Sequence, residues 1–117
     1  MIDGIVKYRH AYGSITTTGN VVAGLVASTN GASQTFIFTG QAGAGGAFHI
    51  IYACHNVSGT WNTTKSTVVS NSNVDIEASA NGSTVTFTFK AVSSTQSYTP
   101  QVMVEALGFH FDTQYLF

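Results

Sequence analysis

The residues best suited to bind a metal ion are the histidines, and their spacing argues against a shared site. His49 and His55 stand six residues apart in a segment, residues 47–55, whose composition predicts a β-strand. At about 3.3 Å per residue, their Cβ atoms would lie about 20 Å apart, which is too far for one ion. Either could act as a ligand only with help from His10, His110 or an acidic residue. We therefore expect no metal and no other cofactor.

Cys54 is the lone cysteine, and it precedes His55. In a strand these two side chains point to opposite faces, so they cannot form a nucleophile–base pair directly. Cys54 shares its face with Phe48, Ile50 and Tyr52, which predicts a small buried hydrophobic residue. A single cysteine also provides no internal disulfide, which favours synthesis in a reducing compartment.

Asp75 and Glu77 share the predicted solvent face of one strand, with Cβ atoms about 7 Å apart. This separation is compatible with the acid and base of a glycosidase. Their predicted neighbours are Thr86, Thr88 and Lys90 on an open β-surface, which favours a solvated face over a catalytic cleft. The chain also has no Gly-x-Ser-x-Gly motif and no phosphate-binding loop. We expect a protein that is not an enzyme.

Trp61 lies in a polar stretch, residues 58–64, between Thr60 and Asn62. An aromatic plane flanked by hydroxyl and amide groups is what a sugar-binding platform requires. The three residues are therefore candidate glycan contacts. The alternative is that the Trp61 ring forms a lid over one end of the fold.

The end of the chain is unusually aromatic. Its last nine residues include five large apolar ones, namely Phe109, Phe111, Tyr115, Leu116 and Phe117. A chain end of this composition is rarely left in water. We expect residues 109–117 to form a final strand or an arm, and we expect these five side chains to lie at a subunit interface.

The elements that must position these residues are strands. Asn81 and Gly82 form the strongest short hairpin signal, because a type I′ turn needs positive φ at both central residues. Folding residues 73–91 about this turn places Ile76 opposite Phe87 and leaves the charged residues on the other face. This alternation predicts an antiparallel pair with one buried and one wet face.

Further strands are predicted near residues 5–8, 14–18, 21–27, 35–39, 47–55, 66–70 and 101–107, with Pro100 at the mouth of the last one. The spacing indicates an all-β fold of about eight strands. It is an antiparallel β-sandwich or jelly-roll-like fold. We expect residues 1–117 to form a single domain.

Composition excludes several partners. Only 8% of the residues are charged and the net charge is -1, so electrostatic steering towards nucleic acid is not expected. The N-terminus has no basic region before an apolar run, so no signal peptide is predicted. No apolar stretch is long enough for membrane insertion. Ser, Thr, Asn and Gly provide the polar surface in place of charge.

Four segments together resemble small β modules of tailed bacteriophage virions. They are residues 12–19 (YGSITTTG), 48–53 (FHIIYA), 85–91 (VTFTFKA) and 98–102 (YTPQV). Such modules occur at tail-fibre tips and in capsid decoration proteins. The resemblance implies a sandwich or jelly roll that is usually trimeric, with no enzymatic residues to carry over.

The resulting expectation is a non-enzymatic phage virion structural protein, made in the host cytoplasm and assembled as a homotrimer. It would act as a capsid decoration (cement) protein or a tail-fibre tip component, with other virion proteins as partners and a host surface glycan as a further possible one. The alternative is a carbohydrate-binding, lectin-like module for receptor recognition, centred on Trp61.

Overall fold

The computed structural model describes residues 4–27, 31–42, 46–108 and 114–116. Within these residues the fold is all-β, with nine strands in two antiparallel sheets. The strands are β1 Gly4–Ala11, β2 Asn20–Leu25, β3 Ser33–Gln41, β4 Ala47–Val57, β5 Thr60–Val69, β6 Val74–Asn81, β7 Thr84–Ala91, β8 Gln101–Gly108 and β9 Gln114–Leu116. One sheet has the order β1-β8-β3-β4-β5 and the other β6-β7-β2-β9. The prediction of an antiparallel β-sandwich is confirmed.

The core lies between the two sheets and is built from alternate residues of their central strands. In β7, every second residue from Val85 to Ala91 is buried, as a strand with one wet face requires. Phe87 is the centre of the core, because its ring lies 4.7 Å from that of Phe36 and 5.1 Å from that of Tyr52. Cys54 is buried in the same layer, as predicted.

The β6–β7 hairpin has the predicted faces but a different register. Ile76 lies opposite Phe89 rather than Phe87, a shift of two residues that leaves every side chain on its predicted face. The turn residues are Gly82 and Ser83, because Asn81 pairs with Thr84. Gly82 has φ of 65° while Ser83 is not among the positive-φ residues, which fits a type II′ turn with glycine first. The predicted Asn81-Gly82 turn is therefore wrong.

β5 is longer than the sequence predicted. It pairs with β4 through a two-residue turn in which Ser58 and Gly59 both have positive φ, at 53° and 87°. This is the type I′ pattern. The Oδ1 of Asn56 accepts a hydrogen bond from the Gly59 N–H at 2.9 Å and holds the turn. The polar stretch around Trp61 is thus the start of a strand and not a loop.

Other predictions need smaller corrections. Residues 14–18 do not form a strand, since Ile15 makes only an isolated bridge to Gln96 while its side chain enters the core.

β9 pairs with β2, with Leu116 opposite Ala23. Of the five aromatic or apolar residues predicted at the C-terminal interface, Phe109, Phe111 and Phe117 lie outside the described residues. The described part of the chain contains no helix of the length and apolar character that crossing a membrane requires.

Candidate functional site

Trp61 lies in the core at one end of the sandwich. Its side chain is only 5% exposed, and its indole Nε1 donates a hydrogen bond to the carbonyl oxygen of Val26 at 2.9 Å. A sugar ring cannot stack on a plane that the protein already covers, so this position corrects the view of Trp61 as an open platform. It agrees with the alternative of a lid over the sandwich end. Thr60 and Asn62 are exposed beside it on β5.

The histidines and carboxylates that the structure describes do not converge. No group of three or more His, Cys, Asp or Glu residues that could hold a metal ion occurs among the residues described above. Asp75 forms an ion pair with Lys65, and Glu77 forms one with Lys90 at 3.1 Å. Both carboxylates therefore have structural partners on the surface.

Burial changes the titration of two inward-facing groups on β4. It raises the pKa of the Cys54 thiol to about 12, so the thiol remains protonated and unreactive near neutral pH. It also raises the pKa of Tyr52 to about 12, with a smaller contribution from the charge of Asp75. The Tyr52 hydroxyl donates to the carbonyl oxygen of Ile76 at 2.7 Å and so ties the two sheets together. Neither group is placed to act on a bound molecule.

A polar cleft lies on the outer face of the five-stranded sheet, where the ends of β1, β8 and β3 meet. Its volume is about 350 Å³, and its lining side chains include Arg9, Thr39, Gln41, Gln101 and Met103. We call it the Arg9 cleft. Strand pairing brings these residues together, because Gln101 lies opposite both Ala11 and Gln41, and Met103 lies opposite both Arg9 and Thr39.

Two features fix the shape of the Arg9 cleft. The guanidinium of Arg9 donates a hydrogen bond to Oε1 of Gln101, which orients both side chains. Gly40, also in the lining, allows β3 and β8 to approach closely, since a Cβ at this position would overlap the carbonyl oxygen of Gln101 and the ring of Phe48. Any larger residue at position 40 would force the two backbones apart.

The Arg9 cleft presents a guanidinium, two carboxamides and a hydroxyl beside the thioether of Met103. These groups donate and accept hydrogen bonds in fixed directions, and the guanidinium matches a carboxylate with two parallel bonds. Met103 offers apolar surface to the C–H groups of a ligand. This combination suits a ligand rich in hydroxyl or carboxylate groups, such as a saccharide.

Sequence reasoning missed the Arg9 cleft. Arg9 was only one of four scattered basic residues, and Gln41 and Gln101 are far apart in the chain. Both glutamines stand at a strand end next to a glycine or proline, which is a weak signal. Their meeting depends on β3 pairing with β8, and no local pattern specifies that pairing.

β1 and Tyr12, the residue that follows it, present an aromatic row on the face opposite the Arg9 cleft. The ring of Tyr8 lies 4.6 Å from that of His10, which stacks on Tyr12 at 5.7 Å. Tyr8 is 49% exposed, while burial lowers the pKa of His10 and favours its neutral form. Tyr8 is therefore a more open aromatic surface than Trp61.

Comparisons with known proteins give one structural likeness. No family model matches the chain, and no curated protein matches it in sequence. Among solved structures, it is similar to the tailspike protein gp49 of the Acinetobacter baumannii bacteriophage Fri1, described as a capsular polysaccharide depolymerase. The TM-score is 0.58 at 14% identity, and the match covers 97% of this chain and 19% of that one. The chain thus shares its fold with a part of a phage tailspike.

This likeness corrects one prediction. The sequence led us to expect a non-enzymatic protein related to phage structural modules, but the phage protein that shares the fold is described as an enzyme. The prediction rested on the lack of a familiar catalytic motif, and such motifs do not include every arrangement that acts on polysaccharides. The chain spans about a fifth of the tailspike's length, and the depolymerase description belongs to that whole protein.

Proposed function

We propose that this chain is a module of a phage tail-associated virion protein and that it binds host surface polysaccharide in the Arg9 cleft. The observation that carries the proposal is the convergence of Arg9, Gln41 and Gln101 in one cleft. The fold likeness to a tailspike that acts on capsular polysaccharide supports the same ligand class. It also favours a tail position over the alternative of a capsid decoration protein.

The chemistry of the cleft suggests how a polysaccharide would be held. Among the described lining residues Arg9 alone is charged, so none of them would oppose a ligand carboxylate with a negative charge. The carboxamides of Gln41 and Gln101 can each donate to one sugar hydroxyl and accept from another. The cleft is open to solvent on the face of the sheet, so an internal segment of a long chain could enter it as readily as an end.

Assembly would strengthen such binding. A single open site holds a saccharide weakly. When several copies sit on one particle, binding by the first copy keeps the polysaccharide close to the others, so each further copy binds it at a high effective concentration. We therefore propose that the chain works as a homo-oligomer, and the trimer implied by the phage resemblance stays a prediction. Tyr115 and Leu116 lie on β9, the last strand of the four-stranded sheet, and remain proposed contacts between subunits.

The test is binding of purified capsular polysaccharide from candidate hosts, measured by calorimetry and on a glycan array. We expect Arg9→Gln to weaken binding by about tenfold or more, as loss of a charge-assisted hydrogen bond predicts. The matched control is Lys90→Gln, which removes one positive charge from the other sheet. Equal binding by the two variants, whether both normal or both weak, would contradict the Arg9 cleft as the site.

A further inference from the structure

β5 forms one edge of the five-stranded sheet, and that edge is open. It pairs with β4 on one side, and no described residue pairs with its other side. Every residue from 62 to 70 is exposed, including Val68 at 60% and Val69 at 45%. An edge strand carries a row of unpaired N–H and C=O groups, which is a template for a strand from another chain.

The neighbouring edge of the other sheet is better protected. On β6, the carbonyl oxygen of Ile76 accepts the hydroxyl of Tyr52, which covers part of that edge. On β5 the only protective device along the strand is a bulge at Val68, where the pairing with β4 shifts by one residue. Residues 60–67 remain in regular register and therefore keep an edge to which another strand can be added.

Lys65 is the only charged residue of β5, and its charge is neutralised within the chain. Its Nζ lies 2.8 and 2.9 Å from the two carboxylate oxygens of Asp75 on β6. A free lysine on an edge strand normally opposes pairing with another strand. Here the ion pair draws the ammonium group towards the four-stranded sheet and leaves an edge made of Thr, Ser, Asn, Trp and Val, most of which favour strands.

We propose that β5 pairs antiparallel with β5 of a second copy, and that the ion pair between Lys65 and Asp75 permits this pairing. A two-fold contact between the regular parts of both strands would bring the two Lys65 residues to a separation on the order of 10 Å. Two free ammonium groups at that separation repel each other, and salt screens them only partly. Two Lys65–Asp75 ion pairs, one in each copy, carry no net charge and do not repel each other in this way. The uncharged edge is therefore complementary to itself, which selects a second copy over a charged partner.

This contact is independent of the proposed polysaccharide site. The Arg9 cleft lies at the β1 side of the five-stranded sheet, and β5 is the strand at the opposite edge. Pairing through β5 would leave both clefts of a dimer open. A two-fold contact produces dimers, whereas the phage resemblance implies trimers, so the oligomeric state distinguishes the two arrangements.

The experiment is sedimentation velocity and light scattering of the full chain over a range of concentrations. We expect a monomer–dimer equilibrium, and we expect Asp75→Asn to weaken dimerisation by about threefold or more at low salt, with partial recovery at high salt. The double variant Lys65→Thr with Asp75→Asn should restore the dimer, because no free charge remains. Glu77→Gln is the matched control, since it breaks the other surface ion pair of the same strand away from β5.

Melting curves of each variant check that it is folded. A chain that is monomeric or trimeric at every concentration would overturn the proposal. Loss of the dimer in Glu77→Gln to the same extent as in Asp75→Asn would also overturn it, as would a double variant that stays monomeric.

Discussion

The β6–β7 and β4–β5 hairpins both close through two-residue turns, but different forces hold them in place. In β7 every second residue from Val85 to Ala91 is buried, whereas in β5 only Trp61 is buried. The first hairpin is fixed by apolar side chains that enter the core. The second is fixed by backbone pairing to β4 and by one anchor at its start. Burial leaves a periodic pattern in the sequence, and backbone pairing at an edge leaves none.

The largest expected effect comes from removing the centre of the first hairpin. Phe87→Ala should lower the free energy of unfolding by about 3–5 kcal/mol, because it leaves a cavity among Phe36, Phe38 and Tyr52. Urea denaturation measures the loss. The control is Thr86→Ala on the outer face, which should cost well under about 1 kcal/mol. Equal losses would show that both faces of β7 are buried and would remove the contrast with β5.

A pH titration tests whether the β4 half of the second hairpin is as deeply buried as β7. The folded Cys54 thiol keeps its proton up to a pKa of about 12, while in the unfolded chain it loses it near pH 8.5. Above that pH the unfolded state binds fewer protons than the folded state, so stability should fall as pH rises. We expect a loss of about 2 kcal/mol between pH 7 and pH 10.

The pH dependence of Cys54→Ala provides the control. Its stability should change little between pH 8.5 and pH 10, although its absolute stability will be lower because a buried group has been removed. Above pH 10 both proteins should lose stability, since the pKa of Tyr52 is also raised to about 12. An identical slope in both proteins below pH 10 would show that Cys54 is accessible to solvent.

The anchor of β5 should contribute less than the core of β7. Trp61→Phe keeps most of the apolar contact but removes the Nε1–H that donates to the carbonyl of Val26. We expect a loss of about 1–2 kcal/mol in the free energy of unfolding, mainly from the lost hydrogen bond to the Val26 carbonyl. Hydrogen exchange should show the loss of protection concentrated in β5 and β4. Uniform loss across both sheets would mean that β5 does not open separately.

The sequence was most informative where side chains are buried. The alternation of Ile76, Phe87 and Phe89 predicted the correct faces of β6 and β7, and the apolar run around Ile50 predicted an inner strand, which β4 is. Pairing partners were not predictable, because the β3–β8 contact joins segments separated by about half the chain. The Arg9 cleft depends on that contact, so it was missed along with it.

Trp61 is an example of the opposite error, because its sequence context predicted exposure and its side chain is buried. Its polar neighbours suggested an exposed ring, but Thr60, Asn62 and the residues after them are polar because β5 lies at an edge. The same composition fits a loop and an exposed edge strand. Only the turn at Ser58 and Gly59 distinguishes them, and a serine with positive φ is an uncommon turn residue.

The smallest expected effect tests which two residues form the turn of the β6–β7 hairpin. In the structure Asn81 is a strand residue opposite Thr84, and its carbonyl accepts the Thr84 hydroxyl at 2.9 Å. Asn81→Ala keeps that carbonyl and should change the free energy of unfolding by less than about 0.5 kcal/mol. Gly82→Ala should cost about 1–2 kcal/mol, because Gly82 has φ of 65° although the space around it is open. If Asn81 were instead the first residue of a type I′ turn, alanine would be forced into positive φ and both variants would lose a similar amount. Thermal and urea unfolding of the two variants, compared with the unchanged protein, measures this difference directly.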